Sequence, residues 1–347
     1  MRVLIVRIGA MGDVLHAMPA VEALRQRHPG CFIGWAIDPQ WSDLLQIAGD
    51  IDDLSQIVGR HETRAMVDRW YSVNTGAWKR RPLAWGTLGE INVLRRLLKS
   101  ERFDVCVDMQ GAVKSAVVGR MARAKVFAGL AKPRERIAKW WYKRRVAVTS
   151  EHVVEQGCEL LGAAVGEELK PAAVRLPINE ACELWADEEL GKESFCLIAP
   201  SAGWGAKVWP AERYGAVAAG LGRGGIRTIV SAPAGGDPAA ERVVAAGEGH
   251  ARVVRCSVGR LIAMTRRAGV VIGGDTGPLH LGAALGRPVV GIYGPTSPLR
   301  NGPYGTRSRI LRDAESVTSH KRVSETEPGM LRISVEDVVA AAKELLG

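Results

Sequence analysis

Short apolar runs alternate with amphipathic stretches along most of the chain, the pattern of βα units wound around a parallel sheet. Residues 3–8 predict a buried strand and 12–27 a helix; 31–37 and 103–109 predict further strands, the latter followed by a helix to about residue 122. A helix near 153–161 and a loop over 162–177 interrupt the rhythm, and 179–190 predicts a short acidic helix. The pattern then restarts, with strands expected at 195–199, 228–231, 253–256, 270–272 and 288–293. Helices are expected between them at 211–221, 237–246, 258–267 and 276–285, and a last one at 334–346. The expectation is an α/β chain of two halves joined near residues 165–190, with chemistry in the loops after strands.

At 347 residues the chain has the length of two domains rather than one core. Hydrophobic content of 47% is ordinary for a folded chain, and no apolar run reaches the roughly 20 residues that cross a bilayer. The opening Met1–Val6 resembles a secretory start, but Arg7 interrupts it and no cleavage site follows, so a cytoplasmic location is expected. Six cysteines without a C-x-x-C pair argue against a zinc site or a disulfide framework. The net charge of +10 implies an anionic partner, whether nucleic acid, phosphorylated lipid or a phosphate-bearing substrate. Residues 120–145 concentrate it: ten basic residues against the single acid Glu135, with Trp140, Trp141 and Tyr142 among them.

Four loops carry candidate chemistry. After the first strand comes Arg7-Ile8-Gly9-Ala10-Met11-Gly12-Asp13, whose two glycines allow a close backbone approach but do not complete a G-x-G-x-x-G dinucleotide fingerprint. Asp13 at the helix start is either a cap for backbone N–H groups or a general base. Gly273-Gly274-Asp275-Thr276-Gly277-Pro278-Leu279-His280 follows an apolar strand, and Pro278 fits a first helical turn. Its free N–H groups predict an anion site, with Thr276 and His280 on one helix face; a polar cap with a core-edge histidine is the alternative. Pro200–Pro210 is a small-residue loop with one cation, Lys207, and Gly235-Gly236-Asp237 follows the next strand as a helix cap or a ribose contact. Asp50-Ile51-Asp52 matches the short D-x-D pattern of metal-dependent sugar transferases, but it stands alone in an acidic turn with Asp53.

Taken in order, these loops resemble the lipopolysaccharide heptosyltransferase family. Met11-Gly12-Asp13-Val14-Leu15-His16 resembles its first loop, and Asp108-Met109-Gln110-Gly111-Ala112-Val113-Lys114-Ser115 its D-x-Q-G-x-x-K-S segment. Asp275-Thr276-Gly277 with His280, and Tyr293-Gly294-Pro295-Thr296, resemble its late donor loops, and Arg134-Glu135 before an apolar-aromatic helix also fits. The resemblance implies an inverting glycosyltransferase of GT-B type, two Rossmann-like parallel-sheet domains facing across a cleft. They would span residues 1–170 for the acceptor and 171–330 for the nucleotide sugar, with helix 331–347 packing back on the first domain. It further implies Asp13 as general base and Ser201, Lys207, Asp237, Asp275, Thr276, Gly277 and His280 as donor contacts. Gly12, Lys79, Arg80, Gln110, Lys114 and Arg134 would serve the acceptor. ADP-heptose would be the donor and phosphorylated Kdo-lipid A the acceptor, with no metal or other cofactor, no nucleic acid, and a monomer at the inner face of the inner membrane. Residues 120–145, with Lys79, Arg80 and Arg81 beside Trp78, would be drawn to that surface. An epimerase of the same fold, and a transferase of another sugar, are the alternatives. This chain departs from the family at Ser201-Ala202, where paired threonines are usual, at Asp237, usually a glutamate, and at Pro278-Leu279.

Overall fold

Val3, Leu4, Ile5 and Val6 have no solvent exposure, because their strand lies at the centre of a sheet covered on both faces. The computed structural model describes residues 1–45, 58–60, 66–319 and 323–347, residues 58–60 by their backbone alone. The Asp50-Ile51-Asp52 pattern and Asp53 lie outside the described residues.

The first unit, Met1–Pro177, runs β1 (Arg2–Val6), α1 (Met11–Arg27), β2 (Phe32–Ile37), β3 (Val58–Arg60), β4 (Arg69–Ser72), α2 (Thr75–Arg80), α3 (Trp85–Ser100), β5 (Val105–Asp108), α4 (Val113–Met121), β6 (Val126–Leu130), β7 (Arg144–Val146) and α5 (Val153–Val165). Its sheet order is β3-β4-β2-β1-β5-β6-β7, parallel except for β3 against β4. The chain crosses from one half of the sheet to the other between β1 and β5, and loops there are free to face a ligand. One face is packed by Leu4, Val6, Phe103, Cys106 and Phe127 beneath α3 and α4. Residues 120–145 are not the aromatic helix expected after Glu135: they hold β6, a single 3-10 turn at Arg136–Trp141, and β7. Tyr142 ends that turn buried, its hydroxyl donating to the carboxylate of Asp108 at 2.7 Å.

Asp108 has no solvent exposure, and burial raises its pKa against the hydrogen bonds it receives from Tyr142, the Gly111 and Gln110 N–H groups, and Ser115. The carboxylate therefore ties the loop after β5 to the start of α4 and to the chain entering β7. Gly111 makes the turn with φ +68, a left-handed conformation that a side chain would strain.

The second unit, Ile178–Gly347, runs α6 (Glu180–Leu190), β8 (Phe195–Ala199), α7 (Ala211–Gly222), β9 (Arg227–Pro233), α8 (Pro238–Ala245), β10 (Ala251–Cys256), α9 (Val258–Arg267), β11 (Val270–Gly274), α10 (Gly277–Ala284), β12 (Val289–Tyr293), α11 (Pro298–Asn301), β13 (Ser308–Arg312), α12 (Pro328–Arg332) and α13 (Val335–Leu346). All six strands are parallel in the order β10-β9-β8-β11-β12-β13, so the crossing point lies between β8 and β11.

One boundary differs from expectation. The units divide after Pro177 rather than at residue 170; the Ala172 N–H donates to the Pro19 carbonyl, which ties the intervening segment to α1. The last helix belongs to the second unit. Val338, Ala341, Ala342 and Leu345 form an apolar stripe at helical spacing that packs into the second unit's core with Ile198, Val217 and Leu221.

Replacing Tyr142 by Phe should remove a donor from a buried carboxylate that cannot recover it from water. The expected cost is about 1–3 kcal/mol of stability in the first unit, read as a lower calorimetric transition temperature; an unchanged transition would show that the bond is not needed to hold the Asp108 carboxyl.

Candidate active site

In the second unit the loops after β8 and β11 meet at the crossing point. Lys207, in the 3-10 turn Gly205–Lys207, reaches the Asp275 carboxylate, its Nζ 2.5 Å from Oδ2. His280, in the first turns of α10, places Nε2 3.0 Å from the other oxygen, Oδ1. Both acidic and imidazole side chains are almost fully buried, at 8% and 4% exposure. Burial pushes the Asp275 pKa up, but the His280 ring and the Lys207 ammonium outweigh it and hold the carboxyl well below the usual range. The Lys207 ammonium also lies 5.2 Å from the Trp204 ring centre.

His280 is turned onto Asp275, which its Nε2 meets at one carboxylate oxygen. Thr276 is the N-cap of α10 but its hydroxyl caps nothing, and Oγ1 has no hydrogen-bond partner among the described residues. The N–H groups of Gly277 and Leu279 precede the first intrahelical bonds, while Pro278 has none to lose. Helix start, hydroxyl and ammonium together form a donor-rich, positive pocket edge suited to phosphate oxygens. The Lys207 turn is set by close packing: a Cβ on Gly205 would lie 1.9 Å from the Ser324 carbonyl oxygen, and the Ala206 N–H donates to Val323 O at 3.2 Å. On the adjacent strand end, the Ser201 hydroxyl donates to Asp237, which also caps α8 by accepting from the Ala239 N–H at 2.9 Å.

In the first unit the loops after β1 and β5 meet in the same way. Asp13 is the third residue of α1 and accepts from the Ala10 N–H at 3.3 Å, so the capping geometry is present. Its other oxygen pairs with the Arg7 guanidinium at 2.7 Å, and Arg7 Nε donates to the Asp13 carbonyl oxygen. Arg7 also donates to the Met109 carbonyl, so one side chain spans both loops. Sequence reasoning assigned Arg7 no role; an arginine directly after a central strand was the available signal. Gln110 is buried, and its Oε1 accepts the Ile8 N–H at 2.8 Å, so it shapes the β1 loop from inside. Gly12 is buried in the first turn of α1.

Of the basic residues expected at the acceptor, Lys79, Lys114 and Arg134 are brought close enough to repel. Burial lowers the Lys114 pKa, the Lys79 charge lowers it further, Asp38 opposes this, and Arg134 adds to the lowering. Arg80 is exposed in the last turn of α2, next to Lys79. Among the described residues no three His, Cys, Asp or Glu side chains group to hold a metal ion.

Two Rossmann-like units, each with polar groups gathered at its crossing point, define a protein of the class that binds nucleotide-bearing ligands at the ends of its strands. The profile of glycosyltransferase family 9 (heptosyltransferase) matches residues 91–330. The chain is 30% identical over 318 residues to lipopolysaccharide heptosyltransferase 1 of Escherichia coli K12, covering 90% of this chain and 93% of that one. The structure of E. coli heptosyltransferase WaaC with ADP is similar at a TM-score of 0.78 and 25% identity, over 99% of this chain and 100% of that one. A glycosyltransferase family 9 structure from Veillonella parvula has the same fold, with a TM-score of 0.80 at 22% identity over 99% and 97% of the two chains. The chain belongs to glycosyltransferase family 9, the heptosyltransferases, and is a glycosyltransferase.

Asp275→Asn should leave Lys207 and His280 facing a neutral amide and cost roughly 3 kcal/mol, as when one partner of a buried pair is removed. A carboxyl whose pKa falls on folding contributes stability that is full above its unfolded value near 4 and is lost as pH falls through the folded one. Thermal unfolding at about pH 6 and about pH 3 should therefore show the gap between wild type and variant narrowing in acid. A gap that acid leaves unchanged would mean that folding does not lower the Asp275 pKa, and a gap that widens in acid would mean that folding raises it.

Proposed function

We propose that this enzyme transfers L-glycero-D-manno-heptose from ADP-heptose to a Kdo residue of Kdo-lipid A with inversion, as a monomer, at the cytoplasmic face of the inner membrane. The observation that carries the reading is the buried Lys207–Asp275–His280 cluster beside the open start of α10. ADP is a leaving group whose developing charge needs stabilising rather than protonating. Lys207, the Thr276 hydroxyl and the Gly277 N–H supply that charge and those donors without calling on a metal. Asp275 keeps the ammonium aimed while His280 fixes the carboxylate. Ser201 and Asp237, on the neighbouring strand ends, are suited to the ribose or the sugar hydroxyls. The E. coli relative carries the name lipopolysaccharide heptosyltransferase 1, and the WaaC structure holds ADP, which supports the choice of donor and pathway.

On the acceptor, a Kdo hydroxyl gives its proton to Asp13 as its oxygen forms the new bond to the anomeric carbon. The bond from that carbon to the ADP oxygen breaks on the opposite face, which inverts the centre. Arg7 orients the Asp13 carboxylate by a direct ion pair. Lys79, Lys114 and Arg134, with Arg80 beside them, meet the carboxylates and phosphates of the acceptor, and their mutual repulsion in its absence is relieved when it binds. Gln110 holds the β1 loop in shape.

The enzyme incubated with ADP-heptose should release ADP only when Kdo-lipid A is present, and the lipid should gain one heptose in mass. Acceptor-independent release, or none, would overturn the reading. Asp13→Asn keeps a hydrogen-bond acceptor for Ala10 but cannot take the proton, so kcat should fall by about 10²–10⁴-fold. ADP-heptose affinity, measured calorimetrically, should stay unchanged; full activity in this variant would return Asp13 to the role of a helix cap.

A further inference from the structure

A cavity of about 220 Å³ opens on the first unit between α4 and the 3-10 turn Arg136–Trp141, lined by Arg120, Arg123, Phe127, Trp140, Trp141 and Lys143 among others. None of these side chains belongs to the transfer chemistry. Trp140 on its rim is 72% exposed, and Ile137 in the same turn is 60% exposed. The Lys139 ammonium and the Arg145 guanidinium lie 5.8 and 5.9 Å from the Trp140 ring centre. An indole open to water is thus surrounded by five cations, three of them around the cavity.

The acids that could balance this charge are engaged elsewhere. Glu135, the one acid in the basic run, accepts from the Val113 N–H at the start of α4, and Asp104 is paired with Lys125 at 2.7 Å. In water alone the face leaves a large aromatic and a branched aliphatic exposed and holds like charges together. Both costs are relieved by one kind of surface: anionic headgroups over hydrocarbon, where tryptophan settles at headgroup level and each cation gains from the negative potential. The exposed aliphatic Ile137 distinguishes this from a nucleic-acid contact, which would use the cations and the flat indole but gain nothing from a branched alkyl chain.

We propose that the face around Trp140 is where the protein docks on an anionic lipid bilayer, with Trp140 and Ile137 at headgroup depth and a lipid phosphate in the cavity between Arg120, Arg123 and Lys143. This deepens the reading of an enzyme working at a membrane, and rests on it, by naming the surface that makes the contact.

The full-length protein should cosediment with vesicles of phosphatidylcholine and phosphatidylglycerol, but weakly with phosphatidylcholine alone, and salt should release it. The triple variant Arg120→Gln, Arg123→Gln, Lys143→Gln should lose about fivefold in vesicle affinity per removed cation, about 100-fold in all. Trp140→Ser with Ile137→Ser should lose at least about tenfold while keeping its salt dependence. Both variants should turn over a water-soluble, deacylated acceptor at the wild-type rate. Vesicle binding that is unchanged in both variants, or that ignores lipid charge, overturns the docking face, as does a loss in the variants of duplex DNA binding alone. Wild-type protein that turns over soluble acceptor without binding vesicles refutes docking and leaves the transferase reading standing; the reverse result does the opposite.

Discussion

A carboxylate that is 8% exposed survives in the second unit only because two partners reach it, and the fold around it is arranged so that they can. Asp275 follows β11, and the strands beside β11 run outward in both directions from it, so no helix crosses directly over this point. Lys207 arrives from the loop after β8 and His280 from the first turns of α10. Gly205 gives Lys207 its approach by leaving space for the Ser324 backbone, and Gly274 allows the Lys207 loop to pass, since a Cβ there would lie 3.3 Å from the Lys207 carbonyl oxygen. Removing any of these would leave a buried charge without its partner. The positive edge offered to an anion is thus a by-product of satisfying one acid.

The first unit solves a related problem with different chemistry. Its buried acid, Asp108, has no cation; it is satisfied by two backbone N–H groups and two hydroxyls, and this fixes the β5 loop without creating a charged pocket. The charge is placed one loop away, on Asp13, where Arg7 pairs with it at the more open end of the sheet. A carboxylate with one ion pair at partial exposure stays reachable from solvent, whereas one buried among donors does not. The two acids are therefore divided: Asp108 holds its loop from inside, and Asp13 is paired at partial exposure.

How much of this was legible follows from which signals were local. The central strands β1, β8 and β11 were readable because burial on both faces demands continuous apolar runs, and α9 matched its expected bounds because Ser257 caps it by accepting the Arg260 N–H. The outer strands were not expected: β7 (Arg-Arg-Val) and β13 (Ser-Arg-Ile-Leu-Arg) at sheet edges, and β4 (Arg-Trp-Tyr-Ser) next to one, carry arginines that periodicity treats as surface. The residue types of the site were visible in the motifs, but not their partners. That Lys207 meets Asp275, or that Arg7 meets Met109, depends on loops from separate strands converging, and chain spacing carries no trace of that convergence.

The basic run at residues 120–145 shows the same limit from the other direction. As a sequence it is a block of charge with three aromatics, and the structure sorts those aromatics by depth. Tyr142 is buried to bond Asp108, Trp141 packs partly against the core of the first unit, and Trp140 stays in solvent. A tight 3-10 turn makes that sorting possible, since successive side chains in it point about 120° apart, and three neighbours must face three directions. The core therefore fixes Tyr142 and Trp141, and the exposure of Trp140 among its cations follows from their burial. An exposed indole beside a half-buried Trp141 and a buried Tyr142 sits on an ordered turn, so contacts made there are not offset by the ordering of a whole loop.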